Sequence, residues 1–297
     1  MNRRYFLWYV FWGVLGSSCS LPPTRLSSSN LDPQWPKKLR FSVTDVFGLE
    51  QLQADYGPFT KALEQVLEIP VELIPVNNLV AAAPALLANQ LDLVLAGPSE
   101  YLILKARAKA VPVVAVTRPG YFTVVSVSAG SGITNLKQLK GKRVGMRAQG
   151  AGASHLGTTQ LLIEAGLDPK ADFATVMVGD RGVELLLSGE IDAWGDAVSR
   201  WQRFTDQAQV SEKTLPIIAR GQPLPSDIFV GNSHLSDSFI AHLQTVMIEN
   251  QALLLEAILK APANEKYQES EMVLGKDTDY DQIRELYKAI GQESLIQ

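Results

Sequence analysis

The sequence is poor in cysteine, histidine and positive charge, and each shortage closes off a class of function. Cys19 is the single cysteine among 297 residues, so no internal disulfide can form. His155, His234 and His242 are too scattered along the chain to form a metal site. Lysine and arginine total 27 against 31 aspartates and glutamates, a net charge of −4. Taking away residues 1–18, which hold Arg3 and Arg4, leaves −6. Nucleic-acid binders usually carry a basic stripe, so that class is set aside. A small anion remains admissible, because local donors in a closed cleft outweigh net charge. No Gly-Lys-Ser/Thr phosphate loop is spelled anywhere. No nucleophile–base pair or metal-ligand cluster stands out, so the chain does not read as an enzyme, and no cofactor is implied.

What is present begins with a targeting segment over residues 1–18. Arg3 and Arg4 start it, and Tyr5 to Leu15 is an apolar run too short to cross a membrane comfortably. Gly16, Ser17 and Ser18 lead to Cys19, which resembles the lipidation site of a bacterial lipoprotein, although the usual leucine three places before the cysteine is replaced by Gly16. Arg3-Arg4-Tyr5-Phe6-Leu7 also resembles a twin-arginine export motif, so both the Sec and the twin-arginine routes stay open. The expected location is the periplasmic face of a bacterial membrane. Residues 19–38, rich in serine and proline without periodicity, read as a lipid-anchored flexible tether.

Beyond the tether, short apolar runs alternate with helical patterns. Strands are expected at 39–46, 71–76, 91–96, 111–117, 144–146, 175–178, 191–194, 215–219 and 227–230, with an extended run over 121–127. Helices are expected at 55–68 with Asp55 as cap and Pro58 in the first turn, at 79–89, after Pro98, at 183–188, over a long stretch 236–259, and at 281–290. Such alternation implies α/β architecture with mostly parallel sheets. Ligands then sit beyond the carboxyl ends of strands, at the loops after Val46, Ala96, Met146 and Val178.

The most informative stretch is Lys140 to Gly166. Val144–Met146 reads as a buried strand, Gly150 and Gly152 allow a sharp turn, Ser154 fits an N-cap, and Leu156, Thr159, Leu162 and Ile163 follow at helical spacing. A helix start with free N–H groups after a small-residue loop favours an anion. A dinucleotide fingerprint would need glycine where His155 stands, and a G-x-S-x-G elbow fails because Gly157 comes one place late. A plain βα turn has the same spelling.

Several segments together resemble the periplasmic phosphate/phosphite/phosphonate-binding proteins of ABC transporters. They are Tyr56-Gly57-Pro58-Phe59 with Ile69-Pro70-Val71-Glu72-Leu73, Leu91-Asp92-Leu93 with Ala96-Gly97-Pro98-Ser99-Glu100-Tyr101, Tyr121-Phe122-Thr123 leading to Ser131-Gly132-Ile133 and Leu139-Lys140-Gly141-Lys142, Gly189-Glu190-Ile191-Asp192-Ala193, and Thr278-Asp279-Tyr280-Asp281 with Ile283-Arg284. The resemblance implies a type II two-lobed binding protein, each lobe a mostly parallel sheet flanked by helices and joined by crossover strands. Lobe one is expected over 39–122 plus 215–297, and lobe two over 123–214. It also implies a monomer that captures a small oxyanion and delivers it to an ABC permease, or, on the same clamshell, docks on a membrane sensor.

Family members grip a tetrahedral oxyanion with a Ser-Thr-Ser run, and the matching positions here are Ala151, Gly152 and Ala153. Two missing hydroxyls would cost about 1.5–3 kcal/mol each if unreplaced. Ser154 stands next in line, and Arg181 lies near the position of a family histidine, with a fork suited to an oxyanion. Tyr101, Tyr121 and Thr123 carry over from the lobe-one loop and the crossover, and Gly150 carries the turn. Arg147 is a further compensating cation or a surface ion-pair partner. A zwitterion is the other solute class, its amine meeting Asp180, Glu100 or Asp196. Asp196 also fits a helix N-cap, and Asp180 and Arg181 could pair with each other. Asp277, Asp279 and Asp281 alternate as in a calcium loop, but the glycine and terminal glutamate are out of place.

Overall fold

The computed structural model describes residues 35–297. The targeting segment, Cys19 and most of the tether lie outside the described residues. Among the described residues no helix is long and apolar enough to cross a membrane.

The chain opens with β1 (Leu39–Val43), α1 (Leu49–Leu67), β2 (Val71–Leu73), α2 (Ala82–Leu87), β3 (Leu93–Ala96), α3 (Pro98–Ala108) and β4 (Val111–Val116). It then crosses to β5 (Phe122–Val127), β6 (Lys142–Met146), a helical turn at Gly152–Gly157 continued by α4 (Thr158–Glu164), β7 (Phe173–Met177), α5 (Gly182–Leu187), β8 (Ala193–Ala197), α6 (Val198–Gln207) and β9 (Ile217–Pro223). It returns through β10 (Asp227–Gly231), α7 (Asp237–Glu249), α8 (Gln251–Leu259), β11 (Met272–Leu274) and α9 (Asp281–Ala289).

Two sheets result. The first has the order β11-β4-β10-β3-β1-β2 and the second β7-β6-β8-β5-β9. In the first, β10 runs antiparallel to both β3 and β4, and β11 antiparallel to β4. In the second, β5 runs antiparallel to β8 and β9, while β6 pairs parallel with β7 and β8. The sheets are therefore mixed, although most strands in each share one direction. β9, expected in the first lobe, instead covers the edge of β5 in the second sheet.

Each sheet is packed on both faces. Against one face of the first lie α1, α7 and α8, with Phe41, Phe59 and Phe229 at centroid separations of 5.4–6.0 Å. Its other face takes α2, α3 and α9. The second sheet buries Trp194 and Leu186 on one face, and Leu139, Met146 and Leu162 on the other.

Four expectations shift. α1 starts at Leu49, so Asp55 is no cap and Pro58 sits inside the helix. Pro58 costs about 3 kcal/mol in a helix interior, which the buried stripe Leu52, Tyr56, Phe59, Leu63 and Leu67 offsets at about 1.5–3 kcal/mol per large side chain. The stretch 236–259 divides into α7 and α8 at Asn250, whose side chain donates to the Val246 carbonyl at 2.8 Å. β11 was not expected, and α6 was expected only through the reading of Asp196 as an N-cap, whereas the helix starts at Val198 and Ala197 holds the cap position. Ser154 is not a cap, because the turn it lies in begins two residues earlier.

Candidate functional site

The loops at the carboxyl ends of β1, β3, β4, β6, β7 and β8, with the start of β10, surround a cleft of about 700 Å³. Parallel strands end at one edge of their sheet, which is why these loops converge. Antiparallel β10 presents its first residue there, Ile228 standing opposite Ala96.

One wall is the turn after β6. Gly150, at φ 86°, reverses the chain, and the first helical bonds run from the N–H groups of His155 and Leu156 to the Ala151 carbonyl. The N–H groups of Gly152, Ala153 and Ser154 therefore precede any intrahelical acceptor. The turn is pressed on the sheet at two glycines. A Cβ at Gly157 would collide with the Thr123 hydroxyl, and one at Gly195 with Thr158. Gly152 faces the opposite wall, where a Cβ would stand 3.4 Å from Ser99 Oγ and 3.5 Å from the Tyr121 hydroxyl.

Charges line the rest. Asp180 accepts from Arg200 at 2.5 Å and lies 3.7 Å from Arg147. Burial would raise its carboxyl, but Arg200 and then Arg147 hold it below the usual range. Asp196 accepts from Arg200 Nε at 3.2 Å and from the Ala197 N–H at 2.8 Å, so it is an ion-pair partner, not an N-cap. Arg118 pairs with Asp227 at 3.1 Å and lies 3.6 Å over the Tyr121 ring. Lys266 bridges Asp45 at 3.1 Å and Asp227 at 3.5 Å. Burial would lift the Asp45 carboxyl, but Lys266 and Arg147 hold it well down. Arg147 reaches across the cleft, its Nη2 donating to the Asp45 carbonyl at 3.5 Å. Arg203 also lines the cleft, with no carboxylate within 4.0 Å among the described residues, and its Nε is buried without an acceptor. Glu100 is buried, and burial pushes its carboxyl up to about 7 against the hydrogen bond from Ser99.

The structure thus gathers Glu100, Tyr121, Ala151, Gly152, Ala153, Ser154, Asp180 and Asp196 around one cleft. It leaves others out. Arg181 spends its guanidinium on Glu184 at 2.7 and 3.0 Å, in an exposed position on the α5 side, and does not line the cleft. Neither does it pair with Asp180. Tyr101 is fully buried and donates to Asp277 at 2.7 Å. Thr123 is buried and donates to the Ala153 carbonyl at 2.9 Å, so it holds the turn from behind. Gly150 shapes the turn without lining the cleft. The Ser154 hydroxyl is committed, accepting from the Arg147 N–H at 2.6 Å and donating to the Gly195 carbonyl at 2.8 Å.

Sequence reasoning missed Arg118, Arg200, Arg203, Lys266, Asp45 and Asp227. The i, i+4 spacing of Asp196 and Arg200 after an apolar run was the available signal for one of them. Asp277 is held by Tyr101, Lys105 and Arg284, and Asp281 by Arg284.

The sequence profile of the family described as "ABC transporter, phosphonate, periplasmic substrate-binding protein" matches residues 41–286. Among solved structures, PhnD1 from Prochlorococcus marinus in complex with methylphosphonate is similar at 18% identity, covering 86% of this chain and 99% of that one, with a TM-score of 0.70. The protein XAC2383 from Xanthomonas citri bound to ATP is similar at 15% identity, over 87% and 98% of the two chains, with a TM-score of 0.71. The periplasmic aliphatic sulphonate binding protein SsuA from Escherichia coli is similar at 16% identity, over 87% and 92%, with a TM-score of 0.60.

Proposed function

This chain belongs to the periplasmic phosphonate-binding family of ABC transporter substrate-binding proteins, and from that premise we propose that its cleft captures a small oxyanion of the phosphonate, phosphite or phosphate class, or a related sulfonate. The observation that carries this reading is the row of N–H groups at Gly152, Ala153 and Ser154, without intrahelical acceptors at the wall of a cleft that also holds Arg118, Arg147, Arg200 and Arg203. Backbone donors at a helix start favour an anion whatever side chains they carry. Here they take the part of the hydroxyls that the Ala151-Gly152-Ala153 spelling lacks. Solute meets one wall first, and closure adds donors from the other, shifting the population to the closed form. The closed form is what an ABC permease reads. We further assign residues 1–18 to a signal peptide removed on export and Cys19 to a lipid anchor that keeps a monomer beside that permease.

A second reading concerns the far end of the solute. The wall on the second sheet sets Arg147, Arg200 and Arg203 against Asp180 and Asp196, whereas the wall on the first sets Asp45, Asp55, Glu100, Asp227 and Glu265 against Arg118 and Lys266. This separation of charge favours a zwitterion, oxyanion on the second lobe and amine towards the first.

Calorimetric titration of residues 35–297 with methylphosphonate, phosphite, phosphate, methanesulfonate and 2-aminoethylphosphonate tests both readings. Saturable heat from one or more of these oxyanions supports the first, and the tightest binding from the aminophosphonate supports the second. No heat from any of the five would overturn the assignment of the cleft to oxyanions.

A further inference from the structure

Glu100 is a buried lining carboxyl whose surroundings do not suit a charge. Asp45, Asp180, Asp196 and Asp227 each have an arginine or lysine within 4.0 Å, whereas Glu100, like Asp55 and Glu265, has none among the described residues, and burial pushes the Glu100 carboxyl up. Its carboxyl folds back over Gly97, where any Cβ would press on Oε2. Oε2 accepts the Ser99 hydroxyl at 2.7 Å, and Oε1 has no side-chain donor. Ser99 Oγ is in turn the atom that stands nearest a Cβ at Gly152. The carboxyl therefore lies one hydroxyl away from the N–H groups assigned above to the oxyanion.

The charged and titratable neighbours reinforce this. Glu100 feels Asp45 and Asp227 from the first lobe, both negative. Tyr121 from the crossover and Tyr287 from α9 face it with neutral phenols, both pushed up by burial. Asp196 from the second lobe acts on the same Tyr121. Two cations act on these phenols, Arg107 on Tyr287 and Arg118 on Tyr121, and Arg118 is engaged by Asp227 and the Tyr121 ring. A second anion placed beside an ionised Glu100 would add like charge in a cleft of low dielectric. A neutral carboxylic acid there has one O–H to give.

We propose that Glu100 carries a proton in the bound state and donates it as a hydrogen bond to an oxygen of the captured oxyanion, so that oxyanion and proton enter the cleft together. The inference rests on the oxyanion reading of the cleft and gives Glu100 the part of a donor, not of an amine acceptor. The balance differs by ligand. A phosphonate monoanion that meets an ionised Glu100 brings the proton on its own P–OH; the proton passes to the Glu100 carboxylate, and the dianion accepts a hydrogen bond from the resulting O–H. A sulfonate has no such proton, so Glu100 must take one from solvent.

That difference makes methanesulfonate the clean probe and methylphosphonate its partner. Both are titrated calorimetrically from pH 5.5 to 8.5, in buffers of low and high ionisation enthalpy. The wild-type protein is expected to bind methanesulfonate with uptake approaching one proton at the alkaline end. Its affinity should fall about tenfold per pH unit above about pH 7, where Glu100 ionises. Glu100→Gln, which keeps an N–H donor and cannot ionise, should bind methanesulfonate with affinity flat in pH and no buffer dependence. Wild-type affinity that is flat, or that rises with pH, overturns the proposal, the latter showing a carboxylate that receives a ligand cation. A Glu100→Gln profile that keeps the wild-type slope also overturns it. If methylphosphonate binds and methanesulfonate does not, the wild-type titration with methylphosphonate is compared with Glu100→Gln, and equal proton uptake in the two overturns it. No binding of either ligand at any pH overturns the oxyanion reading itself.

Discussion

At Arg181 the chemistry suited to an oxyanion is spent three residues away on Glu184, outside the cleft. Arg181→Ala should change ligand affinity less than about twofold, since an exposed ion pair contributes about 0–1 kcal/mol. Arg200 is the contrasting case, because its guanidinium holds both Asp180 and Asp196. Arg200→Ala leaves Asp196 without a cation within 4.0 Å among the described residues and Asp180 with Arg147 alone, at 3.7 Å. Affinity for methylphosphonate should fall at least tenfold, and thermal scanning should show a melting temperature several degrees lower. Equal effects of the two substitutions would contradict this assignment. Gly157 makes a third case. Its alanine would collide with the Thr123 hydroxyl that anchors the Ala153 carbonyl. Gly157→Ala should cost about 1–3 kcal/mol in denaturant unfolding, and adding Thr123→Ala should recover part of it, a coupling that two independent sites would not show.

Among the elements, those with a strong pattern were legible. β3 is four apolar residues in a row and is buried throughout. The turn after β6 was legible from its glycines. α6 was legible only as a helix that Asp196 would cap, because Val198–Gln207 is mostly polar and buries only Trp201 and Thr205. Without its extent, Arg200 and Arg203 stayed hidden, and with them the cationic wall. Lys266 was out of reach for a similar reason, since it stands in a short helical turn at Pro262–Tyr267 that carries no periodic signal. Tyr101 was placed in the site by its loop, yet its ring faces Tyr280 and its hydroxyl meets Asp277. That contact ties α3 to the approach of α9. Burial would raise the Asp277 carboxyl, but hydrogen bonds from Lys105, Tyr101 and Arg284 bring it down to about 2. A depressed folded value contributes stability above the unfolded value of about 3.9, and that contribution is lost as pH falls towards about 2. Asp277→Asn should therefore lower the melting temperature at pH 7 by a few degrees, and the difference from wild type should shrink steadily between pH 4 and pH 2. A difference independent of pH would show that the carboxylate charge is not what these donors hold.

For the whole molecule, the two sheets are joined by the segments between β4 and β5 and between β9 and β10, and the cleft lies where their strand-end loops face each other. Walls of opposite charge balance draw together once a solute satisfies both, so small-angle scattering should report a smaller radius of gyration with saturating methylphosphonate than without. An unchanged radius would mean that capture does not close the lobes. The central claim is narrower still: the backbone N–H groups of Gly152, Ala153 and Ser154 hold the oxyanion in place of side-chain hydroxyls. Backbone amide resonances of the uniformly 15N-labelled protein, residues 35–297, titrated with methylphosphonate, test it most directly. The account predicts that these three amides move downfield and saturate together with the calorimetric isotherm. Binding that saturates while those three resonances stay in place would contradict it.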